Sequence, residues 1–181
     1  MRHLLISLIL LTLMTVVMTC GQTQKPEPAD GILKAAIQKA ESSNKTVFLI
    51  FHASWCGWCK RLDAALEDRT IKELMEEHYV IARLDVLESG NNIQTLENPG
   101  GKKIMTDLGG EKSGLPFYAF LDAKGKKIAD SNVMPKDQNI GYPNSPEEIV
   151  AFEKLLTRTA PRMSVGQRAT IVAYLQKKAS H

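Results

Sequence analysis

Apolar side chains along residues 30–180 recur at helical and strand spacings in turn. The first predicted element is a helix that Asp30 can cap. Its apolar residues follow the spacing i, i+3, i+4 and i+7, at Leu33, Ala36, Ile37 and Ala40. Residues Thr46–Phe51 then form a continuous run of β-forming side chains, which predicts a central strand buried on both faces.

Two helices and a second strand are predicted after this strand. The second helix is predicted to face Cys59, Leu62 and Leu66 inward and Arg61, Asp63 and Glu67 outward. Thr70 and Glu73 match a capping box, in which side chains three residues apart satisfy the backbone at the start of a helix. Residues 79–86 predict a strand.

The stretch from residue 87 to residue 114 is polar and holds six glycines, which makes it long for a bare loop in a compact domain. We therefore expect a short helix inside it, near residues 102–108. Beyond it, residues 117–121 predict a strand, and a turn containing glycine folds residues 126–129 back as a hairpin.

Two helices follow the hairpin, and each begins with a capping-box pattern: Ser145 with Glu148, and Ser164 with Gln167. The last helix, expected at residues 164–178, is predicted to bury Val165, Ala169 and Val172. Because helices and strands alternate early and the hairpin comes late, we predict an α/β fold with a central mixed β-sheet flanked by helices on both faces.

The first twenty residues predict a targeting signal. Arg2 gives a positive start, and residues 4–18 are apolar apart from three hydroxyl residues. A run of this length fits a secretory signal peptide better than a membrane span, which needs about 20 residues. An N-terminal membrane anchor is the alternative. We predict a signal peptide at residues 1–19 and a polar, proline-containing tether at residues 20–29.

Cys20 stands where this signal would end. Its surroundings resemble a bacterial lipoprotein signal, in which such a cysteine becomes the lipidated first residue of the mature chain. Thr19 departs from that pattern, which prefers Gly, Ala or Ser. Ordinary cleavage near the same place, or an incidental cysteine, are the alternatives. The resemblance implies export, a lipid anchor to a bacterial membrane, and an oxidising location such as the periplasm.

Composition and charge exclude some classes of function. Of the 181 residues, 44% are hydrophobic and 24% charged, as in ordinary globular domains, and three cysteines are too few for a disulfide-stapled mini-protein. The net charge of +3 is small, and no stripe of basic residues alternates with aromatic ones, so we predict no nucleic-acid partner. We expect one domain at residues 30–181, since the mature chain is long enough for one core.

Candidate chemistry is concentrated in residues 55–60, with the sequence WCGWCK, where the first strand gives way to a helix. At a helix N-terminus, free backbone N–H groups and the helix dipole stabilise an anion, and so lower the pKa of a thiol below its usual value of about 8.5. Since the thiolate is the nucleophile of thiol–disulfide exchange, Cys56 is the candidate nucleophile. Cys59, one helical turn further in, can attack the Cys56 sulfur and close a disulfide.

Other uses of two cysteines separated by two residues remain open at this point. Such a pair can be half of a zinc site, but a structural site needs four ligands and the sequence offers no second pair, so we predict no metal. An inert structural disulfide is a further alternative, which the strand-to-helix placement disfavours. We predict no cofactor beyond the redox-active cysteine pair.

Residues 47–60 (VFLIFHASWCGWCK) resemble the active-site segment of the thioredoxin superfamily. The resemblance covers roughly residues 30–160. It points in particular to exported thioredoxin-like lipoproteins and to the C-terminal domain of the membrane thiol:disulfide interchange reductase. It implies a thioredoxin-like fold with an insertion at residues 87–114, before a cis-proline loop, and an extra C-terminal helix at residues 164–178.

The same resemblance implies roles for individual residues. Cys56 would be the attacking cysteine and Cys59 the resolving one. Trp55 would shield the disulfide and contact the partner, and the loop at Leu115-Pro116 would pair with the substrate backbone. The other supporting residues are Gly57, Trp58 and Lys60, of which the last is expected to extend into water.

The sequence also departs from thioredoxin. Trp58 stands in place of a proline, Ile50 in place of a buried aspartate that assists the resolving cysteine, and His52 in place of an aromatic residue. His52 is either a packed, hydrogen-bonded side chain or a group that tunes Cys56. Arg83 falls near the position of a buried lysine, and is either a charge partner or a solvated strand residue.

The implied function is that of an exported, membrane-tethered thiol–disulfide oxidoreductase of the reductase or interchange type, acting on protein disulfides through Cys56 and Cys59. A membrane-embedded donor would supply its electrons. One alternative is a partner-binding module that keeps the thioredoxin fold. The other is a metallochaperone that uses the cysteine pair.

Overall fold

The computed structural model describes residues 25–180. The predicted signal peptide, Cys20 and half of the tether lie outside the described residues. Within residues 25–180 the α-helices are α1 (Ala29–Ser43), α2 (Gly57–Glu67), α3 (Lys72–His78), α4 (Asn92–Thr95), α5 (Gly101–Asp107), α6 (Pro146–Thr159) and α7 (Val165–Ala179). The strands of the same residues are β1 (Thr46–His52), β2 (Tyr79–Asp85), β3 (Phe117–Leu121), β4 (Lys127–Asp130), β5 (Asn132–Met134) and β6 (Gln138–Asn139).

The main sheet has four strands in the order β2-β1-β3-β4. β1 runs parallel to β2 and antiparallel to β3, and β3 runs antiparallel to β4. The parallel pair needs a crossover connection, which α2 and α3 provide. The predicted mixed sheet is therefore confirmed. The predicted elements include neither α4 nor the second, two-stranded sheet of β5 and β6.

The central strand β1 contributes side chains to both cores of the domain. Phe48 and Ile50 face a core that α2, α3, α6 and α7 cover. Val47, Leu49 and Phe51 face the other core, which α1 and α5 cover. All five side chains are at most 1% exposed. Burial on both faces explains why this strand shows no alternation of polar and apolar residues.

Two of the predicted helix starts are wrong. The N-cap of α1 is Pro28, and Asp30 lies in the first turn, where its charge still favours the helix dipole. Thr70 forms no capping box, because α3 begins later, with Ile71 as N-cap and without a side-chain cap. The Thr70 N–H group instead donates to the Asp68 carboxylate. The capping boxes predicted at Ser145 and Ser164 are confirmed.

The predicted buried face of α7 is correct for one of its three residues. Val172 is partly buried against the core, whereas Val165 is 74% exposed and Ala169 is exposed. The buried residues of α7 are Ile171 and Leu175. Their larger side chains face the core, since their burial removes more apolar area from water.

Gly110 follows α5 and lies in close contact with Phe117 of β3 and Met105 of α5. A Cβ atom at this position would lie 2.6 Å from Cδ1 of Phe117 and 2.7 Å from Cγ of Met105. Both neighbours are buried, so Gly110→Ala is expected to lower the free energy of unfolding by about 1–3 kcal/mol, as overpacked cores do. Chemical denaturation of the oxidised protein measures this change.

Gly166→Ala in α7 is the matched control. Its Cβ would meet nothing closer than Oγ of Ser164, at 3.9 Å, and alanine favours helix more than glycine does. We expect a neutral or stabilising effect. If Gly110→Ala is as stable as the unmodified protein, the segment that follows α5 can shift at little cost in free energy, and the prediction is wrong.

Candidate active site

The cysteine pair lies at the start of α2, just after the end of β1. β1 ends at His52, and a turn follows in which the Cys56 N–H group donates to the Ala53 carbonyl oxygen at 3.0 Å. Cys56 is the N-cap of α2, and Cys59 lies in the first turn. The two residues form a disulfide, with Cα atoms 5.2 Å apart, and both are buried.

The helix start supplies a donor directed at the first sulfur. Sγ of Cys56 accepts a hydrogen bond from the Cys59 N–H group at 3.1 Å. The first N–H groups of a helix lack partners within the helix, so a sulfur at the N-cap satisfies one of them. In the reduced pair, this N–H group and the dipole of α2 favour the thiolate of Cys56 over its thiol.

The loop before β3 packs against the cysteine pair. The predicted cis peptide bond at Leu115-Pro116 is confirmed. Leu115 is half-buried against a small cluster formed by Ala53, Cys56 and Cys59, and Pro116 is buried. The structure therefore brings together the two predicted catalytic cysteines and the predicted proline loop, although they are about 60 residues apart in sequence.

Two exposed indoles flank the disulfide. Trp55 is 57% exposed, and its Nε1–H group donates to the Leu87 carbonyl oxygen at 2.9 Å. Trp58 is 47% exposed and stacks on Tyr142, with ring centroids 6.2 Å apart. The Arg61 guanidinium lies 4.7 Å from the centroid of the Trp58 ring, a cation–π distance. Both indoles present apolar surface beside the reactive sulfurs.

The two remaining supporting residues lie at the surface. Gly57 is the first residue of α2, and a Cβ built on it meets no atom within 4 Å. Lys60 is exposed, as predicted. The space over Gly57 at the start of the helix is therefore open.

A cluster of charged groups connects the ends of β1 and β2 with α2. Nδ1 and Nε2 of His52 each lie 3.3 Å from a carboxylate oxygen, the first from Asp63 and the second from Asp85. Nε of Arg83 donates to Asp63 at 2.7 Å. Of the alternatives for Arg83, the structure therefore shows the charge partner, and His52 is packed and hydrogen-bonded. Asp63, predicted to face outward, is instead half-buried, because it lies one turn after Cys59 and pairs with His52 and Arg83.

Burial and pairing move the pKa values of the two carboxyl groups in opposite directions. Burial raises the pKa of Asp85, and the nearby His52 offsets only part of that effect. Burial also acts to raise the pKa of Asp63, but the hydrogen bonds from His52 and Arg83 together outweigh it and leave the pKa below its usual value.

A buried carboxylate anchors the segment after β2 to the loop before Cys56. Glu88 accepts hydrogen bonds from the Ser54 N–H group at 2.5 Å and from the Ser54 hydroxyl at 2.7 Å. Nδ2 of Asn92, at the start of α4, donates to Oγ of the same serine at 3.1 Å. Part of the predicted insertion thus supports the active-site loop. This contact was not predicted, because it joins residues 34 positions apart and no local sequence pattern indicates it.

A groove of about 1050 Å³ lies beside the active-site segment, and neither Cys56 nor Cys59 is part of its lining. Trp58 and the Leu115-Pro116 loop form its near end, and residues 109–114 and the hairpin of β5 and β6 form its walls. Asn139 on β6 joins these parts, since its Nδ2 group donates to the carbonyl oxygens of Gly114 at 2.7 Å and Pro116 at 3.0 Å. Asn139 was not singled out from the sequence, because the hairpin that carries it was not predicted.

Two further properties concern only residues 25–180. No group of three or more His, Cys, Asp or Glu side chains in this part of the chain is arranged to hold a metal ion. None of its helices combines the length and the apolar character that a membrane span needs.

Residues 30–123 match the family model of thioredoxin-like proteins, and this segment contains the cysteine pair and Leu115-Pro116. The thiol:disulfide interchange protein DsbD of Photorhabdus laumondii is 34% identical over 94 residues, which are 51% of this chain and 14% of that protein. A protein disulfide-isomerase of Hordeum vulgare is 29% identical over 100 residues, which are 55% of this chain and 17% of that protein. The chain therefore matches only 14–17% of the length of these two curated relatives.

Among solved structures, a disulphide isomerase from Xylella fastidiosa Temecula1 is 20% identical in sequence. The similar region covers 83% of this chain and 90% of that chain, with a TM-score of 0.49.

The opposite pKa shifts of Asp63 and Asp85 predict opposite effects on the pH dependence of stability. The pKa of Asp63 is lower in the folded chain, so its stabilising contribution is present above about pH 4 and is lost as the pH falls through the folded value. The pKa of Asp85 is higher in the folded chain, so its contribution is present below about pH 4 and is lost as the pH rises through the folded value.

Urea denaturation between pH 3 and pH 6 measures both effects. Asp63→Asn is expected to reduce the loss of unfolding free energy on acidification, and Asp85→Asn to increase it. Each variant is compared by its slope against pH, since the substitution also changes stability at every pH. Slopes that change in the same direction in both variants would contradict the assignment.

Proposed function

Since this chain belongs to the thioredoxin-like family, we propose that it is a thiol:disulfide oxidoreductase that exchanges electrons with protein disulfides through Cys56 and Cys59. The observation that carries the proposal is a disulfide at the N-terminus of α2 with the Leu115-Pro116 loop packed against it. The proposal is also supported by two curated relatives whose names describe disulfide interchange and disulfide isomerisation.

In the reductive direction, the Cys56 thiolate attacks one sulfur of a substrate disulfide. A mixed disulfide forms, and the other substrate sulfur leaves as a thiolate. Cys59 then loses its proton and attacks Sγ of Cys56, which releases the second substrate thiolate and closes the disulfide seen here. Two electrons have passed to the substrate, so a dithiol donor must reduce the pair before the next cycle.

The remaining site residues support this exchange. Trp55 and Trp58 give the substrate an apolar surface on either side of the sulfurs, and the open approach over Gly57 admits the attacked disulfide. Leu115 and Pro116 hold the substrate backbone opposite Cys56. Lys60 remains in water and adds positive charge near the helix start.

We assign the protein to the reductase or interchange type and place it outside the cytoplasm. The apolar run at residues 4–18 followed by Cys20 supports export with a lipid anchor. An anchor would hold the domain close to a donor embedded in the same membrane and so raise the effective concentration of that donor.

Replacement of the resolving cysteine tests the proposed chemistry. Cys59→Ser retains the Cys56 nucleophile but cannot complete the exchange, so substrates are expected to stay attached as mixed disulfides. These adducts appear on non-reducing gels as bands that vanish on reduction. The control is Cys56→Ser with Cys59→Ser. Both variants keep Cys20, so an adduct formed through Cys20 would appear in both.

The same experiment distinguishes the alternative functions. A partner-binding module would bind its partner equally well in both variants and without a covalent bond. A metallochaperone would copurify with stoichiometric metal, which both variants would lose. Either result would replace the oxidoreductase proposal.

The anchor is tested with Cys20→Ser in the full chain, expressed in a bacterium and fractionated. We expect the unmodified protein and Cys59→Ser in the membrane fraction, and Cys20→Ser in the soluble fraction outside the cytoplasmic membrane. An immunoblot of the fractions measures the distribution. Retention of Cys20→Ser in the membrane fraction would indicate that the apolar run itself is the anchor.

A further inference from the structure

Glu88 is a buried carboxylate that the exchange mechanism leaves unused. The residue is 7% exposed, and its two oxygens accept hydrogen bonds from the N–H group and the hydroxyl of Ser54. Because Oγ of Ser54 itself accepts from Nδ2 of Asn92, the hydroxyl proton is directed at Glu88. Both carboxylate oxygens are therefore acceptors, which is the hydrogen-bonding arrangement of an ionised carboxylate.

No cation pairs with this carboxylate in the part of the chain that the structure describes. None of the ion pairs within residues 25–180 includes Glu88. Arg83 pairs with Asp63, and His52 lies between Asp63 and Asp85. Burial raises the pKa of Asp85 against the opposing effect of His52, and the charge of Glu88 adds to the increase. The charge of Glu88 therefore acts on other groups at this end of the sheet.

The backbone at Leu87 holds the carboxylate in place. Leu87 has a φ of 56°, a left-handed conformation that leucine rarely adopts. Its carbonyl oxygen accepts from the indole of Trp55, and the Glu88 N–H group donates to the Glu97 carboxylate at 2.8 Å. Unfavourable conformations of this kind persist where the surroundings fix them, and they are concentrated at functional sites. Leu87 and Glu88 thus contact both residues that directly precede Cys56.

The carboxylate lies close enough to Cys56 to affect its ionisation. One oxygen of Glu88 is 2.5 Å from the backbone nitrogen of Ser54. Two peptide units separate the Cα atoms of Ser54 and Cys56, so the carboxylate lies within about 11 Å of the Cys56 Cα atom. A like charge at this distance, in partly buried surroundings, changes a pKa by about half a unit to one unit.

We propose that Glu88 adjusts the redox equilibrium of the cysteine pair: held by Ser54, its negative charge opposes the thiolate of Cys56 and makes the pair a stronger reductant. Reduction of the pair breaks the Cys56–Cys59 bond, takes up two electrons and one proton, and leaves a Cys56 thiolate and a Cys59 thiol. A charge that disfavours the thiolate disfavours the reduced pair, which then gives up its electrons more readily. This inference rests on the proposed function and favours its reductive direction.

Glu88→Gln tests the inference, since it removes the charge while its amide can still accept from the Ser54 N–H group and contact the Ser54 hydroxyl. We expect the pKa of Cys56 to fall by about half a unit to one unit, and the equilibrium constant for reduction of the pair by dithiothreitol to rise by up to about three- to tenfold. The ultraviolet absorbance of the thiolate measures the pKa, as the difference between reduced and oxidised protein so that Cys20 cancels. Alkylation after an acid quench measures the reduced fraction.

Two control variants separate charge from contact. Glu41→Gln makes the same substitution at an exposed position near the end of α1, beside the start of β1 and so at the opposite end of the sheet. It is expected to leave the pKa and the equilibrium constant unchanged. Ser54→Ala removes the hydroxyl contact but keeps the Glu88 charge and its bond to the N–H group, so its equilibrium constant is expected to stay close to that of the unmodified protein.

The outcomes separate this inference from the function on which it rests. If Glu88→Gln leaves the equilibrium unchanged, or Ser54→Ala shifts it equally far, the inference is wrong and the oxidoreductase remains. Should Glu88→Gln fail to fold, Ser54→Ala decides alone: an unchanged equilibrium supports the role of the charge, and a shifted one contradicts it. Reduction of insulin disulfides by the unmodified protein tests the function separately, and its absence would overturn the proposed function whatever the effect of Glu88.

Discussion

Burial of β1 on both faces is the constraint on which the site depends. Five consecutive apolar side chains fix this strand between two cores, and its two neighbours are then set by register. His52 pairs with Asp85 on the parallel side, and Phe51 pairs with Phe117 on the antiparallel side. The loop that follows β1 and the loop that precedes β3 therefore lie at the same end of the sheet. The contact between the cysteine pair and Leu115 follows from that register.

The charged side chains of the site lie near this same end of the sheet. Ile50 and Arg83 are register partners, yet Ile50 belongs to an apolar core in which an unpaired carboxylate would be costly. The carboxylate that pairs with Arg83 comes instead from Asp63, on the helix that follows the cysteines. His52 lies between it and Asp85. The members of this cluster are all partly exposed, and partial solvation lowers the cost of burying charge.

Most features with a local cause could be predicted from the sequence, although the helix caps predicted at Asp30 and Thr70 were wrong. Features with a distant cause could not be predicted in this way. The burial of β1, the helix start at Cys56 and the capping box at Ser145 each depend on residues within a few positions of one another. Asp63 was placed outward because helical spacing cannot show that Arg83, twenty residues away, will pair with it. The hairpin that carries Asn139 has strands of three and two residues, too short for a periodic signal.

The hydrogen bonds of Asn139 connect the part of the chain outside the family match with the shared active site. They reach the carbonyl groups on either side of Leu115, whereas the N–H group that donates to the Cys56 sulfur belongs to α2. A change in the hairpin therefore alters the surface offered to a substrate but leaves the N–H group and the helix dipole at the sulfur in place. The sulfur's hydrogen-bond donor and the walls of the adjacent groove therefore belong to different elements, so either can change in sequence while the other is retained.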